Sequence, residues 1–166
     1  MFTRSIFASL LVGLLAIGCS SNKPKNAQDD SALGADGSNE GLSLELNGDS
    51  DSAKAGGLQT VYFGFDSSNL DSATKSAVQT NADYLQANSN LDIQIEGHCD
   101  ERGGRQYNLA LGERRAKAVR DHLVALGVQS KRITTVSYGN ERPKAEGNDE
   151  SAWSQNRRAN FVITAK

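Results

Sequence analysis

From residue 59 onward, apolar side chains recur with a period of two in some stretches and of about three and a half in others, and the switches between them predict alternating strands and helices. Gln59-Thr60-Val61-Tyr62-Phe63-Gly64-Phe65-Asp66 is β-branched and aromatic between turn formers, which predicts a first strand. After Ser67-Ser68-Asn69, Asp71 is placed to cap a helix running to about Asn88, with Val78, Ala82 and Leu85 at helical spacing. Leu91-Asp92-Ile93-Gln94-Ile95-Glu96 alternates strictly and predicts a strand with one buried face. In the next helix Leu109, Gly112, Ala116, Val119, Leu123 and Leu126 share a face, and Gly127 stands where a helix-ending left-handed residue belongs. Ile133 to Tyr138 predicts a third strand, 139–149 a polar loop, Glu150 to Asn156 a short helix, and Ala159 to Thr164 a last strand. This βαβαβ(α)β order predicts an α/β fold with two main helices packed on a four-stranded sheet.

Upstream the pattern changes twice. Arg4 followed by the short apolar run Ile6 to Ile17 reads as an export signal over residues 1–18. It ends in Leu15-Ala16-Ile17-Gly18-Cys19, which resembles the lipobox of bacterial lipoproteins, where the cysteine becomes the lipidated N-terminus. Ala16 stands where that pattern prefers leucine, and an ordinary secretory signal is the alternative. Acyl chains on Cys19 would make a stable membrane anchor, since each buried CH₂ contributes about 0.8 kcal/mol. Ser20, where an aspartate would signal retention at the inner membrane, suggests delivery to the outer membrane.

Residues 20–57 are rich in Ser, Asn, Asp and Gly, lack aromatics and carry three lysines against seven acids. Such a segment buries too little apolar area to offset its ordering entropy, so 19–57 is expected to be a lipidated cysteine and flexible acidic linker, with the folded domain over 58–166. As a coil the linker would span roughly 30–40 Å. The alternation Leu42-Ser43-Leu44-Glu45-Leu46 suggests a transient strand or docking segment at most.

At 166 residues the chain has room for one ordinary domain with appendages. Residues 58–166 carry fourteen basic and thirteen acidic side chains, so no broad positive field invites nucleic acid. No apolar run reaches the roughly 18–20 residues of a transmembrane helix.

The richest chemistry is in Gly97-His98-Cys99-Asp100-Glu101-Arg102-Gly103-Gly104, a polar loop between a predicted strand and the best-patterned helix. Asn108, Leu111 and Arg115 follow the i, i+3, i+7 rule and form a stripe beside that helix's buried face. Side chains lean toward a helix N-terminus, so Arg115 can reach back toward the Asp100 loop. Two readings remain open: a structural Asp100–Arg115 ion pair, or a clamp for a zwitterion, with Asp100 for an ammonium and Arg115 plus helix N–H groups for a carboxylate. Arg102 and Arg114 read as solvated charges. With Cys19 lipidated, Cys99 has no disulfide partner and reads as a small buried hydrophobe or, alternatively, a reactive thiol. His98, Cys99, Asp100 and the distant His122 have no recognised metal-ligand spacing. A nucleophile elbow, an ordered Ser/His/Asp set and a phosphate loop are all missing, which disfavours an enzyme, an envelope hydrolase included.

The run from Gly97 to Ala116, with Tyr62-Phe63-Gly64-Phe65-Asp66 before it and Asn156-Arg157-Arg158-Ala159 after it, closely resembles the OmpA-like C-terminal peptidoglycan-binding domain, over about residues 58–166. The resemblance implies an α+β sandwich on a mixed sheet, no cofactor, and non-covalent binding of the meso-diaminopimelate residue of peptidoglycan stem peptides. It carries the key carboxylate onto Asp100 and the key arginine onto Arg115, places Phe65 and Asp66 in the same pocket, and makes Leu111, Arg102 and Gly103 rim contacts. It departs at Cys99 and Gly104, neither of which alters the charges. For a lipid-anchored member it further implies an outer-membrane protein facing the periplasm, a TolB-like periplasmic partner and a role in envelope constriction at division. Porin and motor-stator relatives of the fold would bring barrel strands or a transmembrane helix.

Overall fold

The computed structural model describes residues 44–166. The expected export signal, the lipidation at Cys19 and most of the expected linker lie outside them. Among the described residues no helix is long and apolar enough to cross a membrane.

The element order is β1 (Val61–Tyr62), α1 (Ser72–Ala87), β2 (Asp92–His98), α2 (Arg105–Ala125), a 3-10 turn at Ser130–Arg132, β3 (Ile133–Gly139), α3 (Glu150–Asn156) and β4 (Arg158–Ala165). The sheet runs β1-β4-β2-β3, with β2 parallel to β3 and β4 antiparallel to both β2 and β1. It is therefore a mixed four-stranded sheet, and α2 is the crossover between the parallel pair. The core joins Ile93, Ile95, Phe161 and Ile163 of the sheet to Val78, Ala82 and Leu85 of α1 and Ala116, Val119 and Leu123 of α2. Asp71 caps α1 as expected, accepting from the Thr74 N–H at 2.8 Å.

Two glycines set how closely α2 approaches the sheet. A Cβ on Gly97 of β2 would lie 1.8 Å from the Gly112 carbonyl oxygen, and one on Gly112 would lie 2.3 Å from Ser137 Oγ. Backbone thus meets backbone where β2 ends, and the first turns of α2 are held beside the loop that follows β2.

The structure departs from the sequence reading in two places. The linker expected through residue 57 gives way to packed chain from residue 44. The Asn47 N–H donates to the Ile163 carbonyl, Ile163 N–H to the Gly48 carbonyl and Ser50 N–H to the Phe161 carbonyl, all within 3.0 Å, so residues 47–50 extend the sheet along the β4 edge that β1 leaves uncovered. Ala55 and Leu58 enter the core, and Asp51 meets Arg158 at 2.6 Å and Lys144 at 3.1 Å. The Asn, Asp and Gly residues that suggested disorder instead form turns, with positive φ at Asn47 and Gly56. The first strand is also shorter than expected. Phe63 still donates its N–H to the Arg157 carbonyl, but beyond it the chain turns away and passes through a left-handed conformation at Asp66, φ 49°.

Candidate functional site

The end of β2, the first three turns of α2 and the loop after β1 converge on one cavity of about 150 Å³. All seven pocket residues expected from the sequence line it: Phe65, Asp66, Asp100, Arg102, Gly103, Leu111 and Arg115, together with Cys99, Tyr107 and Asn108.

Local bonds fix the loop between β2 and α2. Asp100 Oδ1 accepts the Arg102 N–H at 3.1 Å, closing a turn on its own backbone, and Gly103 completes it at φ 97°. Asn108, buried on the first turn of α2, donates to the Arg102 carbonyl at 3.1 Å. The Cys99 thiol donates to the Asn108 carbonyl at 3.3 Å. Burial pushes the thiol's pKa above its usual value, so the group is a small buried side chain rather than a thiolate.

Arg115 is fully buried, and it does not pair with Asp100. Its Nε donates to the Ser67 carbonyl at 2.8 Å, Nη1 to the His98 carbonyl at 2.7 Å and Nη2 to the Gly64 carbonyl at 3.0 Å, with Cys99 Sγ 3.5 Å from Nη1. Of five N–H donors, four are thus directed at the protein. Carbonyl dipoles orient the guanidinium but leave its full charge unneutralised, an expensive state for a buried group. Burial draws its pKa below the usual arginine value, against the opposing influence of Cys99 and Asp100.

Asp100 has other partners. Arg102 Nη2 lies 2.6 Å from Oδ2 and Arg157 Nη1 3.3 Å from the same oxygen. Burial alone would raise the Asp100 pKa. The Arg102 side chain, its backbone N–H and its charge, with Arg157, outweigh that and hold the carboxyl below the usual aspartate range. The structural ion pair between Asp100 and Arg115 is therefore not formed: the anion and the cation face one cavity, each held by separate neighbours.

Sequence reasoning had no role for three residues that support the site. Arg157, 6% exposed, donates from Nε to the Phe63 carbonyl at 3.1 Å and also pairs with Glu150. Trp153 of α3 donates its indole N–H to Glu101 at 3.1 Å. Arg102 is not simply a solvated charge: its guanidinium lies between the Phe65 and Trp153 rings, 4.0 Å from each centroid. Tyr107 donates its hydroxyl to Asp66. Arg157, at the end of α3, and Arg158, the first residue of β4, are both buried, one meeting Asp100 and the other Asp51. His98 turns away from the cavity toward Glu96, 3.4 Å from its Oε2.

The lowered Asp100 pKa has a measurable consequence. A carboxyl whose folded-state pKa lies below its unfolded value contributes its full stability above the unfolded value, about 3.9, and loses it as pH falls through the folded one. Asp51, lowered in the same direction once its Arg158 contact outweighs burial, adds to this. The urea midpoint should stay flat from pH 7 to about pH 5 and fall below about pH 4, and the fall should be smaller for Asp100→Asn.

Comparison with known proteins follows the same geometry. The OmpA family profile matches residues 62–157. The peptidoglycan-associated lipoprotein of Pseudomonas putida is 45% identical over 157 residues, covering 92% of this chain and 92% of that protein. The crystal structure of the peptidoglycan-associated lipoprotein from Burkholderia pseudomallei superposes with a TM-score of 0.60 at 46% identity, covering 63% of this chain and 88% of that one. The C-terminal domain of Helicobacter pylori MotB shares the fold at 20% identity and a TM-score of 0.62, covering 66% of this chain and 87% of that one.

Proposed function

The chain belongs to the OmpA family, and from that premise we propose that it is an outer-membrane lipoprotein, anchored through Cys19, that binds peptidoglycan without making or breaking a bond. The observation that carries this reading is the buried, unneutralised Arg115 on the same small cavity as Asp100. A cavity of about 150 Å³ is the size that admits a six-carbon ring, so it takes an α-amino carboxylate group and little more. That is the chemistry at the free end of a meso-diaminopimelate side chain. Its carboxylate would neutralise Arg115, its ammonium would meet Asp100, and Leu111 and Phe65 would cover the methylenes. Gly103 and Asp66 shape the mouth.

The family resemblance, and the names of the lipoproteins this chain is similar to, support a wider setting. We place the domain in the periplasm, linking outer membrane to cell wall, with a TolB-like protein as partner in a Tol-Pal system acting at envelope constriction. A pull-down with such a partner, in which no complex formed, would remove that part.

The binding reading is tested by changing the wall rather than the protein. Intact protein in detergent is co-sedimented with sacculi whose stem peptides carry meso-diaminopimelate or lysine at the third position. Lysine keeps the ammonium and lacks the carboxylate, so Arg115 would stay unneutralised. Sedimentation should fall at least tenfold on lysine-type walls, the loss expected when a charged hydrogen-bonding partner is removed from a buried site, about 2–5 kcal/mol. Equal sedimentation on both walls would mean that the cavity does not read the carboxylate.

A further inference from the structure

Asp100 is already in contact with two cations, and they differ in how firmly they are held. Arg157 is pinned by the Phe63 carbonyl and Glu150, and its side chain is 8% exposed. The Arg102 side chain is 31% exposed, and its guanidinium donates to no backbone carbonyl. It is retained by the Asp100 carboxylate, by the exposed Glu150 carboxylate at 3.9 Å and by two ring faces, one of them belonging to Phe65, itself 61% exposed. A cation on a long, partly exposed side chain can leave a carboxylate when another cation takes its place.

Resting on the zwitterion reading of the cavity, we propose that Arg102 is a specificity-determining residue that acts as an internal competitor: in the free protein its guanidinium occupies the Asp100 face of the cavity, and a ligand's ammonium binds by displacing it. The exchange keeps Asp100 compensated throughout, since one cation leaves as another arrives. It also sharpens selection. A ligand with only an ammonium must expel Arg102 without gaining Arg115, and one with only a carboxylate gains Arg115 but leaves Arg102 across the ammonium position. Only a ligand carrying both charges at amino-acid spacing gains Arg115 while replacing Arg102. This role is opposite in sign to that of a rim contact, which would strengthen binding.

The sign makes the test direct. Trp153 is the only tryptophan in the chain, and the Arg102 guanidinium lies over its ring. Intact protein in detergent is titrated by calorimetry and by tryptophan emission with a soluble muropeptide ending in a meso-diaminopimelate tetrapeptide. Arg102→Met keeps an apolar chain between the two rings and removes the competing charge, and Arg102→Ala removes both. Either variant should bind roughly three- to tenfold more tightly than wild type, the range expected for loss of a partly exposed ion pair. Arg102→Lys keeps the charge but loses the fork that grips both Asp100 oxygens and the stacking between the two rings, so it should bind more tightly than wild type and less tightly than Arg102→Met. Ligand should also shift Trp153 emission in wild type and leave it unchanged in Arg102→Met. Wild-type binding with no emission change, or variants that bind equally or more weakly, would overturn the competitor role while leaving the cavity assignment intact. Absence of binding in wild type and every variant would overturn both.

Discussion

Arg115→Met is expected to abolish wall binding and to lower stability by about 2–4 kcal/mol. Three carbonyls, of the buried His98, the half-buried Ser67 and the exposed Gly64, lose their donor at once, and an orphaned acceptor costs about 1–3 kcal/mol where water cannot replace the donor. Relief of the buried, unneutralised charge offsets part of that sum, which sets the net below the gross figure. Arg115→Lys keeps the charge, yet a point ammonium cannot span three carbonyls arranged around a planar fork, so it should recover little. Urea midpoints give the first quantity and co-sedimentation with meso-diaminopimelate sacculi the second. A variant as stable as wild type would mean that the three carbonyls find other partners. A stable variant that still sediments would remove Arg115 from the site.

The other large effect comes from a single methyl group. In Gly97→Ala the new Cβ would lie 1.8 Å from the Gly112 carbonyl oxygen, a contact that only a shift of α2 away from β2 can relieve. Overpacking of this kind costs about 3 kcal/mol, a drop of roughly 10 °C in Tm. Arg115 lies on the same helix three residues beyond Gly112, so the displacement would also carry the guanidinium away from its carbonyl cage and weaken binding. Gly104 supplies the control: nothing lies within 4 Å of its would-be Cβ, and φ of −78° suits any residue. Gly104→Ser should stay within about 0.5 kcal/mol of wild type, with a slight gain from capping α2. A calorimetric scan of the two variants beside wild type distinguishes close approach from a general intolerance of side chains in this loop.

These contrasts follow which features were legible in the chain. Local periodicity carried the elements: the Asp71 cap, the alternation through Ile93 and Ile95, and the α2 face from Gly112 to Leu123 all lie where spacing put them. The i, i+3, i+7 stripe of Asn108, Leu111 and Arg115 does face the loop after β2. What spacing could not decide was the choice of ionic partner. Arg157 reaches Asp100 across 57 positions of sequence, and its approach depends on β4 lying between β1 and β2. Arg102 looked solvated because nothing nearby in sequence announces that Phe65 and Trp153 will flank it. Composition misled at residues 44–57 for a different reason. The entropy argument weighs a segment's own apolar area, while here backbone bonds to β4, Ala55 dropping into an existing core and Leu44 packing against it supply what the segment lacks.

That edge has a mechanical meaning. Any pull transmitted from the N-terminal side of residue 44 meets first the local bridge of Leu44 and Glu45 to Lys54 and Ala55, then the bonds from residues 47–50 to β4, and behind them the Asp51–Arg158 pair. Among the described residues, none of the hydrogen bonds made by 44–51 reaches the Asp100 loop or α2. Under load this strip should peel before the cavity is disturbed. It would act as a fuse, letting the chain lengthen by several residues while its grip on the far side is kept.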